Sequence, residues 1–265
     1  MCLILFSYRS HPSYPLVLAA NRDEFYERPT APAAFWDDAP HILAGRDLQE
    51  GGTWLGITRT GRLAAITNYR DPRAVKNHAP SRGTLVSGFL GGDESPEEYI
   101  RRIRADAGRY NGFNLILGAG GGLFHFSNMT DLFQNIPPGM HGISNHLPDT
   151  PWPKVERGKR LLEDLISDRR EVSPEEIFRI LADTSRPDDR HLPDTGVGVA
   201  WERVLSSIFI RSEGYGTRSS TVILVDGEGN ISFVERSFSS AGDSDNTVRF
   251  SLRATRGDGG LNGYY

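Results

Sequence analysis

Two hydrophobic periods alternate along the chain. Apolar and β-branched runs over Cys2–Tyr8 and Leu16–Asn21, parted by the turn Ser10-His11-Pro12-Ser13, predict paired strands. Trp54–Arg59 and Arg62–Asn68 flank Thr60-Gly61 and predict a tight hairpin. Between these pairs, Arg28–Ala39 is rich in proline and aromatics and reads as too broken for a regular element. A helix is expected over Gly83–Leu90, stopped by Gly91-Gly92. Ser95-Pro96-Glu97-Glu98 supplies an N-cap, a proline and an acidic first turn for a second helix running through Tyr99–Ala105. Strand patterning returns at Phe113–Leu117 and Leu123–Ser127 around the turn Gly118–Gly122, and again at Gly139–Ser144. That glycine run lacks the Lys-Ser/Thr ending and the following helix of a phosphate loop.

Lys154–Ser167 has the clearest helical stripe, made by Val155, Leu161, Leu162, Leu165 and Ile166. Ser173-Pro174-Glu175-Glu176 opens another helix that reaches about Leu181. Asp183–Gly198 is polar and reads as a surface loop. Ser206–Arg211, Ser219–Val225, Ile231–Arg236 and Thr247–Arg253 restore the strand pattern. Strands therefore bracket helices twice. This order predicts one α+β domain over residues 1–253, with helices packed on stacked antiparallel sheets, and a glycine-rich tail at 254–265 expected to fray.

Composition narrows the function. The 265 residues carry 30 basic and 34 acidic side chains, a net charge of −4, which speaks against nucleic acid or an anionic membrane as partner. Lys76, Lys154 and Lys159 are the only lysines, the other basic residues being arginines. Cys2 is the only cysteine, so neither an intrachain disulfide nor a multi-thiolate metal site can form. No apolar run reaches the roughly 18 residues of a membrane span, and the start lacks a basic n-region, so a cytoplasmic protein is expected. No metal and no cofactor is expected.

Cys2 stands out by position. An aminopeptidase removes an initiator methionine when the next side chain is small, and that would leave a thiol and a free α-amino group on one residue. With an α-amino pKa of about 7.7–8.0 and a thiol near about 8.5, the amine could serve as base for its own nucleophile. A cysteine there is also simply a small apolar residue opening a strand. Asn21-Arg22-Asp23-Glu24 follows the second strand, where Asp23 could hold the α-amino group and Arg22 could favour the thiolate. Asn68 and Asn145 each end an apolar run, as turn residues do, and a side-chain amide there could also face an oxyanion. Arg218 sits in Gly216–Thr221 at the mouth of a strand, where a solvated arginine is equally at home.

Together these segments resemble a known family. Asn21-Arg22-Asp23-Glu24 matches the signature of the NRDE family, also known as the transport and Golgi organisation protein 2 family. The resemblance continues through Ala44–Leu48, Gly51–Gly56, Ala65–Arg70, Ser81-Arg82-Gly83, Gly142–Asn145 and Gly214–Thr221, and covers the chain to about Arg236. It implies a branch of the N-terminal-nucleophile (Ntn) hydrolases, with a four-layer αββα sandwich similar to penicillin V acylases and bile salt hydrolases. It further implies Cys2 as nucleophile, Asp23 as the carboxylate on the α-amino group, Asn145 and Asn68 as oxyanion donors, and Arg218 as a late arginine near the thiolate. In those acylases the arginine precedes the aspartate by three residues, whereas Arg22 and Asp23 are adjacent. Strand neighbours face opposite sides, so both would reach Cys2 only if the strand bends or ends there.

The expected activity is hydrolysis of a small-molecule amide. Relatives in the family also imply an alternative, a non-catalytic carrier of haem or of acyl-CoA and other lipids, in which Cys2 would bind iron or only pack. A degenerate fold serving as a scaffold is a third reading. Phe35-Trp36 and Trp152-Pro153 are candidates for an apolar ligand pocket, or for ordinary core.

Overall fold

In a computed structural model the described residues are 2–167, 169–240 and 242–254. They form two antiparallel sheets. The first contains β1 (Cys2–Tyr8), β2 (Leu16–Phe25), β10 (Gly139–Ile143), β11 (Tyr215–Val225), β12 (Asn230–Phe238) and β13 (Ser244–Arg253), in the order β10-β1-β2-β11-β12-β13. The second runs in chain order through β3 (Thr30–Trp36), β4 (Ala39–Asp47), β5 (Leu55–Thr58), β6 (Leu63–Asn68), β7 (Phe113–Ala119), β8 (Gly122–Ser127) and β9 (Leu132–Asn135). Helices α1 (Gly83–Gly91) and α2 (Pro96–Arg104) cover the second sheet, while α3 (Pro153–Ile166) and α4 (Pro174–Leu181) cover the first. The layers are αββα.

Strand alternation decides what faces what. Ile4, Phe6 and Tyr8 of β1, with Leu16, Leu18 and Ala20 of β2, point between the sheets. Leu3, Leu5, Val17 and Ala19 point the other way, onto Val155, Leu162 and Ile166 of α3 and Ile177 and Leu181 of α4. Burial of these faces stabilises the fold by about 25 cal/mol per Å² of apolar surface. The predicted N-cap at Ser95 is a full capping box, with Ser95 Oγ accepting from the Glu98 amide and the Glu98 carboxylate accepting from the Ser95 amide.

Several elements differ from the sequence reading. Arg28–Ala39 is not irregular: it holds β3 and the start of β4. Pro32 is tolerated because β3 is an edge strand and its pairing with β4 shifts between Ala31 and Ala34. Ser206–Arg211 is not a strand, apart from a single bridge from Arg211 to Gly216. Ile208, Phe209 and Ile210 are buried in succession because their backbone is bound individually, by Asn21 Nδ2, Asp183 O and Thr217 Oγ1. The short α5 (Val199–Leu205) and the mostly exposed β9 carry too little periodicity to stand out. The tail expected from residue 254 lies outside the described residues, Ala254 excepted. No helix among the described residues is long and apolar enough to cross a membrane.

Candidate active site

Cys2 opens β1 directly opposite Arg22 of β2. Counting alternate residues from Ile4 puts its thiol on the face between the sheets, and the count from Ala20 puts Arg22 there as well. The thiol lies at a cleft of about 220 Å³, whose lining includes Arg22, Asp23, Trp54, Asn68, Arg82 and Asn111. Arg22 is buried, stacked 4.3 Å over the Trp54 ring, with Nη1 donating to Thr30 Oγ1 at 3.0 Å and Nη2 3.7 Å from Asp47. Trp54 can lie there because residue 45 is glycine: a Cβ on Gly45 would sit 2.3 Å from its ring.

β2 neither bends nor ends at Asn21, but runs on to Phe25. Asp23 therefore falls on the opposite face from Arg22, toward the helices. It is buried there, and its Oδ1 accepts a 2.7 Å hydrogen bond from Thr217 Oγ1. A bulge between Thr217 and Ser219 resets the pairing opposite these two charged residues. Two adjacent residues thus serve two sides of the strand start, Arg22 beside the thiol and Asp23 behind it.

The charge states follow from burial. Burial pushes the Cys2 thiol above its ordinary pKa, and the Asp23 charge adds to this; Arg22 and a hydrogen bond from the Asp23 backbone oppose it. Burial thus favours the neutral thiol, and a nucleophilic role calls for a base beside it. Burial likewise raises Asp23, against the pull of Lys154 and Thr217. Lys154, near the start of α3, is itself buried, and its Nζ has no hydrogen-bond partner among the described residues. Burial brings its pKa down to about 8, with Asp23 the main opposing influence. Lys154→Met removes a cation that favours the Asp23 carboxylate, so Asp23 is expected to ionise at higher pH than in the wild type, as an NMR titration of its side-chain carboxyl carbon would show.

Asn68 ends β6 at the cleft. Asn145 lies behind it, fully buried and away from the cleft lining. Its Nδ2 donates to the Asn68 carbonyl at 3.0 Å, and its Oδ1 accepts from Arg70 Nη2 at 3.1 Å. Arg70 in turn makes a buried 2.8 Å ion pair with Glu202 of α5. The neighbouring Ser144 Oγ donates to the Cys2 carbonyl at 3.1 Å, so one buried network grips both Cys2 and Asn68. Arg218 is the extra residue of the β11 bulge. Its Nη1 donates to the carbonyls of Phe25, Tyr26 and Arg28, closing the turn from β2 to β3. It lines a second cleft, with Glu235, rather than the one at Cys2.

The fold thus gathers Cys2, Arg22, Asp23 and Asn68 at one cleft, with Asn145 supporting it from behind and Arg218 outside it. Phe35, Trp36 and Trp152 do not line this cleft. Lys154, Arg70, Glu202 and Arg82 are additions. One signal for Lys154 was available: a chain that otherwise uses arginine keeps lysine at a buried position, where an ammonium can give up its proton. Among the described residues no three His, Cys, Asp or Glu side chains converge as metal ligands.

A family model described as Transport and Golgi organisation 2 matches residues 1–240. The chain belongs to that family. The bovine Transport and Golgi organization protein 2 homolog is 39% identical over 257 residues, covering 89% of this chain and 93% of its own length. The human homolog is 37% identical with the same coverage, and the Drosophila melanogaster protein 32% identical over 263 residues. In three dimensions this family member is similar to a mutant conjugated bile acid hydrolase from Clostridium perfringens. The TM-score is 0.53 at 9% identity, over 99% of this chain and 94% of the hydrolase chain. A likeness at that identity is a likeness of fold, and the fold of this Transport and Golgi organisation 2 member is Ntn-hydrolase-like.

Proposed function

We propose that this protein is an amidohydrolase that uses Cys2, freed of Met1, as its nucleophile. The observation that carries the reading is the pairing at the strand start: the sole cysteine faces Arg22 on a polar cleft, with the buried Asp23 carboxylate on the other side. The α-amino group of Cys2 takes the thiol proton, and the sulfur adds to the amide carbonyl carbon. Asn68, held by Asn145, donates to the oxyanion of the tetrahedral adduct. Collapse breaks the C–N bond, and the amine leaves with the proton from the α-ammonium group. Water, deprotonated by the same amine, then cleaves the thioester to a carboxylic acid and the thiol.

The lining favours a small polar amide. Arg22, Arg28, Arg82, Glu24, Asp47 and Glu50 stand around the thiol, whereas haem or a long acyl chain calls for an apolar slot. A panel of small polar N-acyl amides, followed by amine release, tests the reading. Turnover of at least one member that depends on Cys2 is expected. Amine release equal in wild type and Cys2→Ala would overturn it.

A further inference from the structure

Three guanidinium groups line the Cys2 cleft. Arg28 Nε lies 2.7 Å from Asp47 Oδ2, and Arg22 Nη2 approaches the same oxygen at 3.7 Å. Arg82 is different. Among the described residues it has no carboxylate within 4.0 Å, and its one side-chain hydrogen bond runs from Nη1 to the Gly112 carbonyl at 3.0 Å. That bond fixes the guanidinium, and its remaining N–H groups have no acceptor among the described residues. Burial pushes the Arg82 pKa down, while the charges of Cys2 and Glu24 pull it back up. A partly buried guanidinium without a counter-ion is electrostatically unfavourable, and a bound anion would relieve it.

Arg82 stands at the start of α1 with helical dihedrals, φ −65° and ψ −25°, and its side chain makes no capping bond to the helix. Its placement is built from backbone on backbone. A Cβ on Gly52 would lie 2.5 Å from the Gly83 carbonyl carbon, and the Thr53 amide donates to the Gly83 carbonyl at 3.3 Å. The Gly51-Gly52-Thr53 loop thereby pins the start of α1 against the cleft wall.

We propose that Arg82 is the anion-binding subsite of this cleft, so that the molecule presented to Cys2 carries a carboxylate or phosphate group. The proposal rests on the reading of Cys2 as the reactive group and narrows the amide to an anionic one. Iodoacetate and iodoacetamide test it, since they alkylate the same sulfur with the same leaving group and differ in charge. A simple thiolate repels iodoacetate. In the wild type the ratio of iodoacetate to iodoacetamide rates is expected to exceed that of a small free thiol by about tenfold, the effect of one charge-assisted contact. Arg82→Met should return the ratio to the free-thiol value, and Arg82→Lys should give an intermediate one. Loss of a nearby cation also lowers the thiolate fraction, but that slows both reagents in proportion, so the ratio isolates the subsite.

Protection identifies the anion. Whichever of succinate or inorganic phosphate slows wild-type labelling by iodoacetamide, and does so less in Arg82→Lys, names the group recognised. A wild-type ratio equal to that of the free thiol, or one unchanged in both variants, overturns the proposal. Amide turnover enters none of these rates. An enzyme without amidase activity but with a raised ratio sinks the amidase reading and keeps the subsite; turnover with an ordinary ratio does the reverse.

Discussion

Cys2→Ala is expected to lower amide turnover by about three orders of magnitude or more, as removal of a nucleophile that acts with its base does in other hydrolases. The loss is in kcat, because the cleft walls that bind the amide stay in place. The fold should survive. Cys2 is half-buried at the first position of β1, and Leu3, Leu5 and the inter-sheet residues that hold the strand are untouched. A stability change within about 1 kcal/mol is therefore expected. Amine release and a thermal melt on the same preparation separate the two effects. Equal loss of turnover and of melting temperature would mean that Cys2 serves packing, and that activity fell with the fold.

Glu202→Ala should destabilise the protein more than any change at the cleft surface. It leaves Arg70 buried without its carboxylate, a change that typically costs about 3–5 kcal/mol. For a chain of this size that corresponds to a fall in melting temperature of about 10 °C. Activity should fall as well, since Arg70 holds Asn145 and Asn145 holds the Asn68 carbonyl. Glu202 also accepts from the Thr195 amide and hydroxyl, so its loss loosens the polar segment before α5. Glu202→Gln keeps acceptors for part of this network and should lose less. Thermal melts of the two variants check the order, which would be reversed or absent if the ion pair were solvated.

Much of the frame was legible in the sequence, and the reasons are local. The apolar run Cys2–Tyr8 and the N-cap at Ser95 are short-range signals, and both recur in the structure at the same residues. What failed was local too. Pro32 argued against a strand, yet an edge position needs no donor from it. The buried run Ile208–Ile210 mimicked a strand, although its backbone groups find single partners instead of a ladder.

The site was legible in part. Adjacent Arg22 and Asp23 looked incompatible with one nucleophile. The continuation of β2 to Phe25 resolves this by giving each residue its own face. Arg218 looked like a site residue because its segment does, but the bulge turns it onto three carbonyls of the β2–β3 turn. Glu202 and Arg70 are separated by 132 residues, and no spacing rule links them. Arg82 stood out in the sequence only within the family match Ser81-Arg82-Gly83; that its guanidinium lines the Cys2 cleft is a fact of the fold.

In the proposed mechanism Cys2 becomes an N-terminal residue whose own amine activates its thiol. The most direct measurement of this is the intact mass of the purified protein, taken before and after brief treatment with iodoacetamide near neutral pH. A mass lower by one methionine and rapid addition of a single alkyl group are expected. Retention of Met1 with a slowly reacting thiol, in protein made by a host that processes such termini, would contradict this mechanism and favour ligand binding over hydrolysis.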